Sequence, residues 1–525
     1  MSGPHLKQRI TDLANAMSAG LHEREEHAAV ILLAALSGQN IFLLGPPGTA
    51  KSLLARRLAS VFDGVGPRFE YLMHRFSTPE EIFGPVSIAE LKKDNYMRKT
   101  DGFLPKAHFA FLDEIWKSSP GILNTLLTII NEKIFRNGTE TEKVPLKALI
   151  AASNETPSAG EKSEGLDALY DRLIVRLYVS PVEGADNFNQ MLTEKPAPPD
   201  AKCGSLIRDH EISEWRKKIQ TVKLSQETKD IIKVIRGELP KLEKKPENQV
   251  YVSDRRWQQA AILLKAAAFF CDRKTTNMAD TMLLQHCLWT TDDNRKKVMA
   301  VVEKAVKDNG FKSEINVADL SKDKDALEKD ITKDLYYTED VYKAYKVGGK
   351  SCHKVEVYIE HRNHYDPSRE RLALFMPCEQ RGTFHPLNEK GDELQEFNCA
   401  LQKGGSYSVE NEQHGSYRLY KPKGREPQKS VTVFPEISNS KGDRKEVSPN
   451  MRKHFRDDVD KIAARFGKVL SEIERKRASL AKEISTPFVS KEKQGVALDG
   501  IDEQLNTLRS EQADCARLLA LIAGE

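Results

Sequence analysis

The chain has 525 residues, too many for a single hydrophobic core and suited to roughly three domains. Charged side chains make up 30% and aromatics 7%, with 81 basic residues against 77 acidic ones and a formal net charge of +4. That near-balance argues against a protein whose main task is coating nucleic acid, which requires a basic surplus or stripe.

The opening stretch MSGPHLKQRITDLANAM lacks the apolar segment of a secretory signal. No run approaches the roughly 18 apolar residues of a membrane span. Seven scattered cysteines (Cys203, Cys271, Cys287, Cys352, Cys378, Cys399 and Cys515) form no C-x-x-C pair. Neither a disulfide framework nor a zinc cage is expected, and a reducing cytoplasm is the simplest setting. The dipeptide Cys352-His353 is weak evidence for a metal, since no second pair accompanies it.

In chain order, ILLAALSGQNIFLLGPPG gives a helix, a link and then a continuously apolar strand, Ile41 to Leu44, of the kind buried on both faces of a parallel sheet. Two further strands are expected: FAFL before Asp113, and LKALIAAS before Asn154. Helical spacing separates them, at Leu53, Leu54, Leu58, Val61 and Phe62, then at Ile122, Leu123, Leu126, Leu127 and Ile130. Alternating strands and helices predict a parallel sheet flanked by helices. TEKPAPPDAKCGS (193–205) reads as an exposed loop, and helical spacing dominates about 225–310. KVEVYIEHR, RLALFMP and SVTVFPE then predict a small β-rich module. Phe455 to Ile484 and Ile501 to Ile522 carry apolar stripes, with the bend expected at Thr486-Pro487 and Gly495 to Gly500. Packing on the chain's own third helix is favoured for these stripes over a partner surface.

The stretch GPPGTAKS (45–52), between strand and helix, has the order of a phosphate-binding loop: Gly45, Pro46, Pro47, Gly48, Thr49, Ala50, Lys51, Ser52. Backbone N–H groups at the helix N-terminus form an anion site, Lys51 would reach the β- and γ-phosphates, and Ser52 would hold Mg²⁺. Ala50 replaces the usual last glycine, and right-handed helical dihedrals are expected there. FAFLDE places Asp113 at the metal and Glu114 where it could polarise the attacking water. Asn154 ends the third strand and could bridge γ-phosphate and water. Each alone has an ordinary reading as a turn residue; their weight comes from forming a series.

This series resembles the AAA+ ATPases, with Walker A (GPPGTAKS), Walker B (FAFLDE), a sensor asparagine (Asn154) and ALYDRLIVR (168–176). Within them it resembles the MoxR group, whose loops often carry Ala before the Lys. STPEEIFGPVSI, GFLPKAHFAFLDEIWKSSPGILNTLLTIINEKIFRNG and YVSDRRW resemble RavA-type regulatory ATPases in particular. The resemblance is dense over residues 20–290 and beyond about 315 rests on layout. It implies an α/β AAA+ core (1–190), an all-α lid and linker (191–310), and a C-terminal helical domain (311–345 and 441–525) interrupted by the β-rich module (346–440). It also implies ATP and Mg²⁺ as ligands and a ring, usually a hexamer, with sites between neighbours. Arg172 would be the arginine finger, with Arg176 a competitor. Arg255 matches the sensor-2 position, with Arg256 one residue away. Leu21, His22 and Arg24 sit where relatives line the adenine pocket.

The implied activity is Mg²⁺-dependent ATP hydrolysis by a chaperone-like remodeller of protein complexes. A von Willebrand factor A domain protein would be the partner, and a client would dock on the β-rich module. The alternative is an ATP-assembled scaffold whose β-rich module tethers an enzyme. A nucleic-acid motor is disfavoured, because no helix-turn-helix, zinc finger or strongly basic domain is visible.

Overall fold

The computed structural model describes residues 5–64, 66–157, 164–201, 203–242, 250–309, 317–361, 369–411, 417–424 and 426–524. The expected boundary at 310/311 lies outside the described residues. Two units emerge: residues 1–314 with 471–506, and residues 315–470 with 507–525.

The first unit is built on β1 (Ile41–Leu44), β2 (Arg68–Leu72), β3 (Phe109–Asp113), β6 (Ala148–Ser153) and β7 (Val175–Tyr178), with a separate hairpin of β4 (Ile134–Asn137) and β5 (Glu140–Lys143). The main sheet runs β2-β3-β6-β1-β7 and every neighbouring pair is parallel. Strand β1 lies between β6 and β7, with all four residues of IFLL buried. A strand covered on both faces has no polar side to show, which is why its sequence does not alternate. Helices α1 (His5–Ser18), α2 (Glu25–Ser37) and α3 (Lys51–Ser60) pack around this strand. Helix α2 buries ten consecutive residues, Ala28 to Ser37, as a helix apolar all round should.

The following region is helical in its described residues: Asp209–Thr221, Gln226–Glu238, Asp254–Phe270, the short Met278–Thr281 and Asp292–Asn309. One arginine fastens it to β7, and a second braces it internally. Arg176, fully buried, donates to Leu173 O (2.9 Å), Trp289 O (2.6 Å) and Tyr170 O (2.6 Å). Arg256, also buried, donates to Cys287 O (2.7 Å) and Trp289 O (3.0 Å). Both guanidiniums donate to backbone carbonyls from buried positions.

Two long helices, Pro449–Glu483 and Lys491–Ala523, contribute to both units. The turn between them is confined to 484–490, and Gly495 and Gly500, expected at the bend, lie inside the second helix instead. The physical reason is packing. Phe488 and Val489 bury in the first unit's core, and Gln494 donates to Thr486 O and Val489 O, so the helix has started before Gly495. A Cβ on Gly500 would fall 2.3 Å from Lys307 O, so that glycine serves close approach and no turn.

In the second unit the apolar stripes meet the chain's own helix Val317–Leu335, as favoured. Lys324 of that helix pairs with Glu511 (2.5 Å) and Asp514 (3.0 Å), and Arg517 with Glu328 (2.7 Å), over buried Leu320, Ile331, Val459, Phe466, Leu508 and Cys515. Among its described residues the β-rich module has two four-stranded sheets and a two-stranded pairing of Val341–Tyr342 with Ile437–Asn439. Val355, Val357 and Ile359 of one sheet and Phe397, Cys399 and Val409 of the other share one buried cluster, so the alternation in KVEVYIEHR is the period-two pattern of a half-covered strand. Among the described residues no helix is long and apolar enough to cross a membrane.

Candidate active site

The loop Gly45–Ala50 leaves the C-terminal end of β1 and enters α3. Gly45 is wedged between neighbouring strand ends: its N–H donates to Ser153 O (3.2 Å), and a Cβ there would sit 2.3 Å from Val179 O. Gly48 is left-handed (φ 81°). Ala50, expected to be right-handed, is left-handed as well, at φ 70° and ψ 22°. The chain must reverse at this point so that α3 can begin at Lys51, with Ala50 O accepting from Leu54 N at 3.0 Å. A methyl group in this region costs about 1 kcal/mol or more, so Ala50→Gly is expected to raise stability by about 1 kcal/mol in thermal unfolding. A lower melting temperature would contradict the left-handed assignment.

Three strand ends deliver the polar groups. Lys51 Nζ donates to Gly45 O (2.6 Å), Pro46 O (2.8 Å) and Asn154 Oδ1 (3.2 Å). Asn154 Nδ2 donates to Glu114 Oε1 (2.8 Å), and Lys117 Nζ lies 3.3 Å from Glu114 Oε2. Asn154, just past β6, thus joins the lysine of the loop after β1 to the acid after β3. Glu114 is itself left-handed (φ 51°), turning its side chain back toward Asn154, and its N–H is held by Asp113 Oδ1 at 3.0 Å. Burial lowers the Lys51 pKa, opposed by the charges of Asp113 and Glu114. No group of three or more His, Cys, Asp or Glu side chains forms a metal cage among the described residues. The donors offered are the Ser52 hydroxyl at the start of α3 and the half-buried Asp113 carboxylate. Such a sparse oxygen set suits Mg²⁺, which keeps several waters and takes the rest of its shell from phosphates.

Beside the loop lies a cleft of about 560 Å³, lined by Pro46, Pro47, Gly48, Thr49 and Ala50 together with Leu21, His22 and Arg24. Arg24 is buried and donates to Thr49 O (3.4 Å) and Ser180 O, tying the α2 entry to the loop. His22 Nε2 faces Glu194 Oε2 at 3.3 Å. The far wall was not foreseen. Phe188 and Met191, on the helix Ala185–Thr193, line the cleft with Glu194, Lys195 and Pro196, part of the stretch expected to be an exposed loop. Glu23 fixes that helix by accepting from Glu183 N (2.9 Å) and Gly184 N (2.8 Å), and these hydrogen bonds hold its carboxyl pKa down to about 2. The available signal was the i, i+3, i+4 spacing of Phe188, Met191 and Leu192. Both cleft-lining side chains are unusually exposed for their size, at 45% and 43%. Phe188→Ala is expected to raise the KM for ATP about tenfold with kcat almost unchanged, the signature of lost uniform apolar contact. An unchanged KM would remove Phe188 from the nucleotide site.

Arg172 and Arg255 stand elsewhere. Arg172 O accepts from Asn40 Nδ2 (3.4 Å) at the N-terminal end of β1, and its guanidinium contacts Asn131 Oδ1 (2.6 Å) and Ala168 O. The four residues of β1 separate that point from Gly45 by about 13 Å. Exposed Arg255 is close enough to Arg172 to depress its pKa, after the larger effect of burial. The two arginines therefore sit together, at the opposite sheet edge from their own chain's phosphate loop.

Residues 8–198 match a family profile described as the MoxR domain in the MoxR-vWA-beta-propeller ternary systems, and residues 227–302 match an AAA lid domain. Two proteins of Methanocaldococcus jannaschii are similar. Uncharacterized protein MJ0079 is 34% identical over 60% of this chain and 83% of its own, and Uncharacterized protein MJ0812 is 36% identical over 54% and 72%. Structural protein ORF618 of Acidianus two-tailed virus is 30% identical over 41% of this chain and 37% of its own. A matched core, a matched lid in sequence order behind it, and relatives aligned over most of their length carry one conclusion: this chain belongs to the MoxR-type AAA+ ATPases.

Proposed function

We propose that the chain hydrolyses ATP with Mg²⁺ in a ring of identical subunits and uses the resulting movement of core and lid to remodel protein complexes. The observation that carries this reading is the hydrogen-bonded series Lys51–Asn154–Glu114 at the C-terminal ends of β1, β6 and β3. That edge of an open parallel sheet is where such folds bind ligands.

Magnesium, when bound, supplies charge neutralisation at the β- and γ-phosphates, with Ser52 and Asp113 as its protein ligands. Lys51 serves the phosphates with a fixed positive charge, positioned by the carbonyls of its own loop. Glu114 orients the attacking water through a carboxylate whose two oxygens are held by Asn154 and Lys117. Asn154 keeps acid and lysine in register. Leu21, His22, Phe188 and Met191 cover the base and ribose. Arg172, too far from its own loop, stabilises transition-state charge in the neighbour's site, and exposed Arg255 is presented beside it as the sensor-2 residue.

The family description names MoxR-vWA-beta-propeller systems, which supports a partner carrying a von Willebrand factor A domain. A hexamer, a cytoplasmic location, RavA-type kinship and client docking on the β-rich module belong to the same proposal. Measuring ATP turnover for wild type and Lys51→Ala tests it. Hydrolysis lost in the variant supports the reading, and equal turnover in both would sink it.

A further inference from the structure

A second cavity, of about 110 Å³, lies in the first unit away from the nucleotide cleft, and the site already described uses none of its lining. Residues of α2, β7, the lid and the start of the helix Lys491–Ala523 enclose it. Its charges are unbalanced. Arg176, Arg295 and Lys493 line it against a single carboxylate, Glu26, which already accepts from Lys493 (3.0 Å) and contacts His286 Nε2 (3.1 Å). Arg295 pairs with Asp292 at 3.0 Å and stacks 4.0 Å over Tyr178. Arg176 donates only to carbonyl oxygens and stacks 3.6 Å over the Tyr170 ring, and among the described residues no carboxylate is in ion-pair contact with it. A buried cation without a counter-ion is costly.

The lining also holds unpaired polar atoms. Gln285 is 1% exposed, and neither its amide nitrogen nor its amide oxygen has a partner. His27 Nε2 donates to Tyr178 O (2.9 Å), which leaves Nδ1 as a bare acceptor that is also buried without a partner. Burial holds the His27 pKa down to about 4, so this ring is neutral at ordinary pH. The lining therefore asks for a guest with negative charge to face the surplus of cations, an oxygen acceptor for the Gln285 N–H₂, and an O–H for Gln285 Oε1 or His27 Nδ1.

We propose that this cavity binds a small protonated oxyanion, hydrogen phosphate being the type, as a site separate from the phosphates of the nucleotide cleft. Sulfate has the same shape but carries no proton at neutral pH, so it would leave both bare acceptors unpaired. The volume admits a free ion with one or two waters. The proposal stands independently of the ATPase reading.

Equilibrium dialysis of the full chain against labelled inorganic phosphate tests it. The Lys51→Ala chain, whose nucleotide cleft has lost its lysine, is expected to keep one saturable phosphate, with sulfate competing at least about tenfold less well. O-phosphoserine is expected not to compete. Gln285→Leu is expected to bind phosphate about tenfold more weakly, and in phosphate-free buffer to unfold at a higher temperature than wild type, because a buried unpaired amide has gone. Arg295→Gln, at the same cavity, is expected to weaken phosphate as well and replaces Gln285→Leu should that variant not fold. No saturable binding in Lys51→Ala, equal competition by sulfate or O-phosphoserine, or full affinity in the cavity variants would each overturn the proposal. Binding lost with Lys51 and kept without Gln285 would assign the ion to the nucleotide cleft, overturning this site while leaving the ATPase reading intact.

Discussion

Arg172→Ala is expected to reduce ATP turnover by roughly 10³–10⁵-fold while leaving ATP affinity and thermal stability close to wild type. The separation of effects follows from where the residue stands. Its backbone is hydrogen-bonded to Asn40, at the end of β1 remote from Gly45, and its guanidinium rests on Asn131 and the Ala168 carbonyl. An arginine side chain cannot span that strand to its own phosphate loop, so a cis contribution to binding is ruled out on reach. The contacts it makes at home are few and half-exposed, worth at most about 1 kcal/mol of stability. A structural arginine would therefore show a small loss of melting temperature and normal turnover. A finger shows the reverse, with native mass expected to match that of wild type. The same comparison on Arg176 should invert the pattern, since its guanidinium is fully buried and satisfied by Tyr170, Leu173 and Trp289.

Glu114→Gln should trap ATP. The substitution keeps the side-chain length and an oxygen for Asn154 Nδ2, which now donates to Glu114 Oε1 at 2.8 Å, so Lys51 and Asn154 remain in place. It removes the charge proposed to orient the lytic water, an expected loss of roughly 10²–10⁴ in kcat for a positioned base. ATP should remain bound after gel filtration, with KM changed little. This variant also separates a motor from a scaffold. Partner activity that survives in a chain unable to hydrolyse ATP would mean that assembly alone is the function, with turnover incidental.

Much of the site could be read before folding because its chemistry is local. Lys51, Asp113, Glu114 and Asn154 each follow an apolar run, and strands that are apolar on both faces end where parallel sheets bind ligands. What escaped is non-local. Strand β7 carries Arg176 in its middle, a charge that reads as a break until Trp289, 113 residues away, supplies the accepting carbonyl. Strand β2 alternates charged and apolar residues because it is an edge, and RFEYL gives a weak signal. The helix of Phe188 and Met191 carries its own apolar spacing, but its seat depends on Glu23, 160 residues upstream, a contact that no local pattern announces. Ala50 differs for another reason: its place where the loop winds into α3 predicts a right-handed residue, while the demand for a reversal ahead of α3 fixes it left-handed. The bend stays at Thr486-Pro487 and does not extend to Gly495 and Gly500, because Phe488 and Val489 enter the core and the second helix starts at once behind them.

Each catalytic site is proposed to be shared between two chains, and mixing two inactive variants puts that sharing to the test. Arg172→Ala lacks the finger but keeps Glu114, and Glu114→Gln keeps the finger but lacks the acid. In a randomly mixed ring about a quarter of the interfaces pair an intact Glu114 with an intact Arg172 from its neighbour. ATP turnover measured across mixing ratios should rise from near zero for either variant alone to a maximum near equal proportions. Mixed rings verified by native mass that stay inactive at every ratio would contradict a shared site.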